Sequence, residues 1–250
     1  DMPDEEGREP PTFYANAMTV TDRGDIIIGG TFNDAQSGFS LLRLSPAGVP
    51  RWEEHPTEGG MWSEIHDLEV DSDGNIVAVG HFSSRLSIRG LPSLRCSRGC
   101  GFVASFDGSS GQARWARHLR SPDGAFTAVE LTEDNGVIAA GHFVQAAKVG
   151  DIRLRAAGRS ELDLVVAGFS QSGETLWAKS HGDRQRDELL QIATFADDKV
   201  VLRSNRSIMI VSGENGDSLW SRPVAHDEIL VEATRRREQL WLMHRETSGS

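Results

Sequence analysis

Apolar and polar positions alternate with a period of two along most of the chain, in strand-sized runs broken by Gly, Asp, Asn and Ser clusters. That is the signature of half-buried β-strands joined by tight turns, and no i, i+3, i+4 pattern runs long enough to compete. One unit recurs: an alternating segment, a polar turn and a second apolar segment, beginning at Ala17, Asp67, Ala128, Gln191 and Leu230. The copies at 67–82 and 128–143 align without a gap and both end Gly-His-Phe; the copy at 191–203 has lost that ending, and the copy at 230–244 keeps only the opening pair of strands. Third strands are predicted at 39–44, 102–106, 165–169 and 208–211. Each is followed by a Gly turn and, four residues on, a Trp: Gly48 and Trp52, Gly111 and Trp115, Gly173 and Trp177, Gly216 and Trp220.

Four strands per repeat predict an all-β fold, a β-propeller of four-stranded blades with four complete blades plus a partial fifth. The predicted blades run 15–56, 65–119, 126–181 and 189–223, with a partial blade at 228–245, all within a propeller at 14–247. An acidic, Pro-rich linker at 1–13 precedes them. The Trp residues are spaced by 63, 62 and 43 positions, so the second and third repeats carry extra length. It falls at 83–101 and 144–163, where further apolar alternation predicts small extra hairpins on one rim, a natural contact surface. The fifth sheet is short, and only the stretch around Thr12-Phe13-Tyr14 is left to help close a ring.

The fullest repeat, Asp71 to Trp115, reads Asp-x-Asp-Gly-Asn-Ile-Val-x-x-Gly-x-Phe, an insert, Phe-Val-Ala-x-Phe-Asp and then Gly-x-x-x-Trp. It resembles the bacterial β-propeller repeats of the seven-bladed type. The segments 106–115 and 211–220 are also similar to quinoprotein-like propeller repeats. The resemblance implies the fold and an exported or surface setting. It carries over no catalytic residue, since the shared positions build blades.

Charge narrows the partners. The formal net charge of −11 argues against nucleic acid and anionic lipid, both of which need a basic footprint. No apolar run is long enough to span a bilayer as a helix. Cys96 and Cys100 share a polar, Gly-containing loop, which favours a local disulfide and an oxidising compartment.

Few residues suggest chemistry. Glu69, Glu130 and Glu232 align on the first strands of their repeats and are the candidates for a metal, a structural calcium, at the propeller axis; no other cofactor is expected. Asp71, Asp73 and Asn75 read as a hairpin turn rather than a calcium loop. His81 and His142 are equivalent, as are His55 and His118, and copying of the repeat explains both pairs. Arg235–Arg237 reads as a solvated turn. No nucleophile elbow, zinc-protease helix or phosphate loop is present. The expected function is a non-catalytic, exported scaffold or binding module for protein or surface glycan, periplasmic, cell-surface or extracellular, and a subunit of a larger assembly. The alternatives are a quinone-dependent dehydrogenase or glycan-active hydrolase or lyase, and a fragment of a larger surface protein.

Overall fold

The computed structural model describes residues 12–33, 38–56, 62–158, 162–195, 198–224, 228–234 and 239–244, with side chains described up to residue 224 apart from those of Asn33 and Phe195. All regular structure there is β, so no helix is long and apolar enough to cross a membrane. The first sheet is β1 (Thr12–Val20), β2 (Ile26–Asn33), β3 (Gly38–Leu44) and β4 (Pro50–Glu54), paired in chain order. The second holds β5 (Ser63–Val70), β6 (Ile76–Leu86), β7 (Leu94–Phe106) and β8 (Ala113–Arg120). The third holds β9 (Gly124–Leu131) and β10 (Val137–Val144), then, after the hairpin β11 (Ala146–Val149) and β12 (Ile152–Arg155), β13 (Leu162–Phe169) and β14 (Thr175–His181). The fourth is β15 (Leu189–Phe195), β16 (Lys199–Ser204), β17 (Ser207–Ser212) and β18 (Ser218–Pro223); β19 (Glu228–Thr234) and β20 (Gln239–His244) form a two-stranded fifth.

The first strands of the five sheets pack side by side in the order β1, β5, β9, β15, β19. This is a propeller-like arrangement of antiparallel sheets, and among the described residues no strand pairs the β19–β20 sheet with β1. The stretch Thr12–Tyr14, expected to help closure, instead continues β1 opposite Asn33, Phe32 and Thr31. Its ladder partner is thus its own hairpin strand β2, and β1 is the edge strand of this sheet.

Alternation puts every second side chain on each sheet face, and the cores lie between sheets. Ile27, Phe39 and Leu41 of the first sheet meet Ile65, Leu68, Ile76, Phe102 and Phe106 of the second. Val77, Val79 and Val103 on its other face meet Val137, Ala139, Val165 and Phe169 of the third. Ile138, Ala140 and Val166 then meet Val200, Leu202 and Val211 of the fourth. Full burial of each large apolar side chain contributes about 1.5–3 kcal/mol relative to exposure.

The Gly-x-x-x-Trp motif is the joint between neighbouring sheets. Trp52 Nε1 donates to the carbonyl of Gly108 at 2.9 Å, Trp115 Nε1 to Gln171 at 2.9 Å, and Trp177 Nε1 to Gly213 at 3.2 Å. In each case the acceptor belongs to the turn of the next repeat, and the indole lies on that turn's glycine. A Cβ built on Gly111, Gly173 or Gly216 would stand 2.8, 2.4 or 2.5 Å from Trp52, Trp115 or Trp177. These glycines also have φ of +75°, +81° and +73°, the left-handed region that favours glycine. The ladder has two loose ends: Gly48 has nothing within 4 Å of its Cβ position, and Trp220, 43% exposed, meets no such glycine among the described residues.

Both inserts form the extra hairpin strands expected of them, and the structure shows what each pairs with. Residues 83–101 prolong β6 and β7 as one long arm, with Leu86 opposite Leu94. The 144–163 insert crosses to the preceding repeat, where β11 pairs with β8 (Val149 opposite Leu119) and makes the second sheet six-stranded, β12-β11-β8-β7-β6-β5. Its Ala147, Val149 and Leu154 are buried in the same core as Trp115 and Leu119. The apolar alternation that suggested an extra hairpin is therefore the inward face of β11 and β12, which extend the sheet past β8 and leave β12 as its edge.

Cys96 and Cys100 form the expected disulfide, with Cα atoms 6.0 Å apart. A regular strand would hold residues four apart at about 13 Å. The ladder runs from Ser83 opposite Gly99 to Arg85 opposite Arg95, so Cys96, Ser97 and Arg98 loop out against Ser84 alone. The disulfide therefore staples a bulge inside β7.

Candidate functional site

The first strands share one irregularity. Each register skips a residue: Asn16 in β1, His66 in β5, Thr127 in β9, Leu190 in β15 and Val231 in β19. A bulge leaves one residue outside the ladder and re-aims its side chain. In the second sheet that residue is a histidine, beside the directly paired Glu64 and His81. His66 Nε2 and His81 Nδ1 stand 2.9 Å apart, and one ligand atom from each of Glu64, His66 and His81 falls within 4.8 Å of the others. Among the described residues this is the one such group of three His, Cys, Asp or Glu side chains.

Neighbouring elements hold the group in place. Asn16 Nδ2 donates to Glu64 Oε1 at 2.7 Å and to the Ile65 carbonyl at 3.0 Å, tying the first bulge to the second. The Trp62 ring lies edge-on to His81 with centroids 4.5 Å apart, and the Trp62 carbonyl accepts from the Ser83 N–H at 2.9 Å. Burial pushes His66 below the usual imidazole range, against Glu64 and a hydrogen bond with the Phe126 backbone, which pull the other way. Burial lowers His81 to about 4, with the His66 and His142 rings adding to the effect and Asp123 opposing it. His142 is lowered by burial as well, so at neutral pH these imidazoles are uncharged, and across the His66–His81 hydrogen bond one ring nitrogen donates its proton to the lone pair of the other.

Glu69 and Glu130, singled out from sequence, lie on the first strands β5 and β9. Glu130 Oε2 accepts from Thr194 Oγ1 at 2.9 Å, across the joint between the third and fourth sheets. Glu69 lines a cavity of about 780 Å³ at the other end of β5, with Asp71, Asp73 and Glu133. The side chain of Glu232 and the whole of Arg235–Arg237 lie outside the described residues. First-strand side chains project from the sheet faces toward adjacent sheets, which is why Glu130 finds a neighbouring strand. Asp71 is a turn device: Oδ1 accepts from the N–H groups of Asp73 (3.0 Å) and Asn75 (2.7 Å), and Oδ2 from Asn75 Nδ2 (2.8 Å). His55 sits exposed beside Glu53, and His118 accepts from Arg120 Nε at 2.7 Å.

Sequence reasoning placed His81 and His142 in equivalent positions but missed His66 and Glu64. A signal was present: buried Ile65 and Leu68 are three apart rather than two, so the alternation slips at His66. The β6–β7 arm contributes a second concavity of about 510 Å³, where Leu91, Pro92 and Leu94 face Arg114, Trp115 and Arg120 of β8.

No known protein family matches the chain, and no curated protein resembles it in sequence. Among solved structures, a protein of unknown function from Bacteroides caccae is similar over 90% of this chain, at 11% identity and a TM-score of 0.50. The match takes in 64% of that protein, so this chain spans less than two thirds of its length. BamB from Moraxella catarrhalis matches over 88% of this chain and 82% of its own, at 13% identity and a TM-score of 0.28. The V. cholerae biofilm matrix protein Bap1 matches over 81% and 47%, at 9% identity and a TM-score of 0.21. The first of these likenesses concerns the fold alone: an all-β chain of consecutive antiparallel sheets.

Proposed function

We propose that this chain is a non-catalytic, exported propeller-type module that binds another protein within an envelope or extracellular assembly. The observation that carries the reading is the outer face of the first sheet. Two cross-strand rows lie there in register, Met18–Ile28–Leu42 and Val20–Ile26–Leu44, all six apolar. Their counterparts in the second sheet, Ile76, Ala78, Ala104 and Phe106, are 0% exposed because the first sheet covers them. In the first sheet Met18 is 67% and Val20 58% exposed. A contiguous apolar sheet face bordered by the unfilled Gly48 turn is half of a joint that the chain builds three times internally. The disulfide agrees with an oxidising compartment.

The test is a photo-crosslinking side chain at Met18 or Val20, activated in the producing cell. The reading expects one discrete protein adduct, mapped by mass spectrometry to a β-sheet surface. Absence of any adduct, while the same group at buried Leu68 links within the chain, sinks it.

A further inference from the structure

We infer that Glu64, His66 and His81 form a binding site for a first-row divalent transition ion, with zinc as the ion that fits the donor set. This stands apart from the binding role proposed above and does not depend on it. Two imidazoles and one carboxylate are a common zinc donor set, whereas calcium takes oxygen donors. With zinc–nitrogen bonds of about 2.0–2.1 Å, two imidazole nitrogens on one ion stand about 2.9 Å apart at a right angle and about 3.3 Å apart at the tetrahedral angle. The 2.9 Å between His66 Nε2 and His81 Nδ1 already lies in that range, and the Glu64 carboxylate is within 4.8 Å of both.

The surroundings are those of a supported site. Ligating histidines commonly engage a backbone carbonyl through the second ring nitrogen, and ligating carboxylates are themselves hydrogen-bonded. His66 has its backbone partner in Phe126, and Glu64 has Asn16 at 2.7 Å. Trp62 covers one side of His81, and the acidic Asp123 adds to the attraction for a cation. The bulge explains why the site arises in this repeat alone: the skipped positions of the other four sheets are Asn, Thr, Leu and Val. Three protein donors leave a coordination position for water or for an oxygen of a bound ligand.

The experiment uses the whole chain, stripped with chelator and titrated with zinc by calorimetry, with cobalt as a visible reporter of the same site. The expected result is one equivalent of zinc, no comparable uptake of calcium, and a cobalt spectrum altered by Glu64→Gln. His66→Gln and His81→Gln should weaken binding by about 100-fold or more, and Asn16→Ala by about tenfold, the effect of losing a supporting contact. His55→Gln, at an exposed histidine outside the cluster, should bind as the parent does. Wild-type protein that takes up no stoichiometric zinc and gives no cobalt band overturns the assignment, even if the histidine variants do not fold. Undiminished zinc binding by folded His66→Gln and His81→Gln overturns it equally.

Discussion

Replacing Gly173 and, separately, Gly48 by alanine weighs one sheet-to-sheet joint directly. Both residues have left-handed backbones, with φ of +81° and +76°, so each alanine carries the same conformational cost of about 1–2 kcal/mol. At Gly48 that is the whole effect, because nothing lies within 4 Å of the new methyl group. At Gly173 the methyl would stand 2.4, 2.6 and 2.7 Å from Cδ2, Cγ and Cε3 of Trp115. The indole cannot yield freely, since it is 6% exposed, packed near Phe169 with ring centroids 6.3 Å apart, and bonded to the Gln171 carbonyl. Overpacking of this kind costs about 1–3 kcal/mol, and losing the indole hydrogen bond about 1 kcal/mol more. Gly173→Ala should therefore be about 2–4 kcal/mol less stable than Gly48→Ala. In urea, with a slope of about 3 kcal/mol/M for a chain of this size, that separates the two midpoints by about 1 M. Combining Gly173→Ala with Trp115→Ala should return the alanine cost to that seen at Gly48, a coupling that a double-mutant cycle reads. Coincident midpoints for the two single variants would refute the joint as the source of stability.

The crossing hairpin gives a second outcome: Leu154→Ala should cost about 2–3 kcal/mol in urea denaturation, because Leu154 shares the core of Trp115 and Leu119. A free surface hairpin would show almost none. Reducing the disulfide should cost at most about 2 kcal/mol, the chain-entropy value for so small a ring, and should raise amide exchange at 96–98 while sparing β13. Acid should destabilise the fold through His118, which burial and then Arg120 hold at about 4. Its folded value lies below its unfolded value of about 6.5, so the unfolded chain takes up the proton first. The contribution is complete above about 6.5 and is lost as pH falls toward 4; His118→Gln should flatten stability against pH across that window.

The period-two pattern and the recurring Gly and Trp determined much on their own: β-strands, their grouping in fours, the turns and the closeness of the two cysteines all follow from local chain chemistry. A copied repeat announces itself in any sequence because packing in each sheet makes the same demand. What the tertiary structure decided is where each repeated residue finds its partner. Trp115 reads locally as a strand residue, yet its acceptor is Gln171, in the turn of the next repeat. The hairpin at 146–155 belongs by sequence to the third repeat and by hydrogen bonding to the second, since β8 offered an open edge and an apolar face to cover. The histidine cluster is the sharpest case. Alternation puts His66 and Glu64 two apart on one strand, but it is the strand register that sets His81 opposite Glu64, and the bulge that skips His66 in the ladder is only faintly visible in the spacing of Ile65 and Leu68. Alternation is a local rule that any pentapeptide carries, whereas a bulge and its partners are settled by the strands on either side.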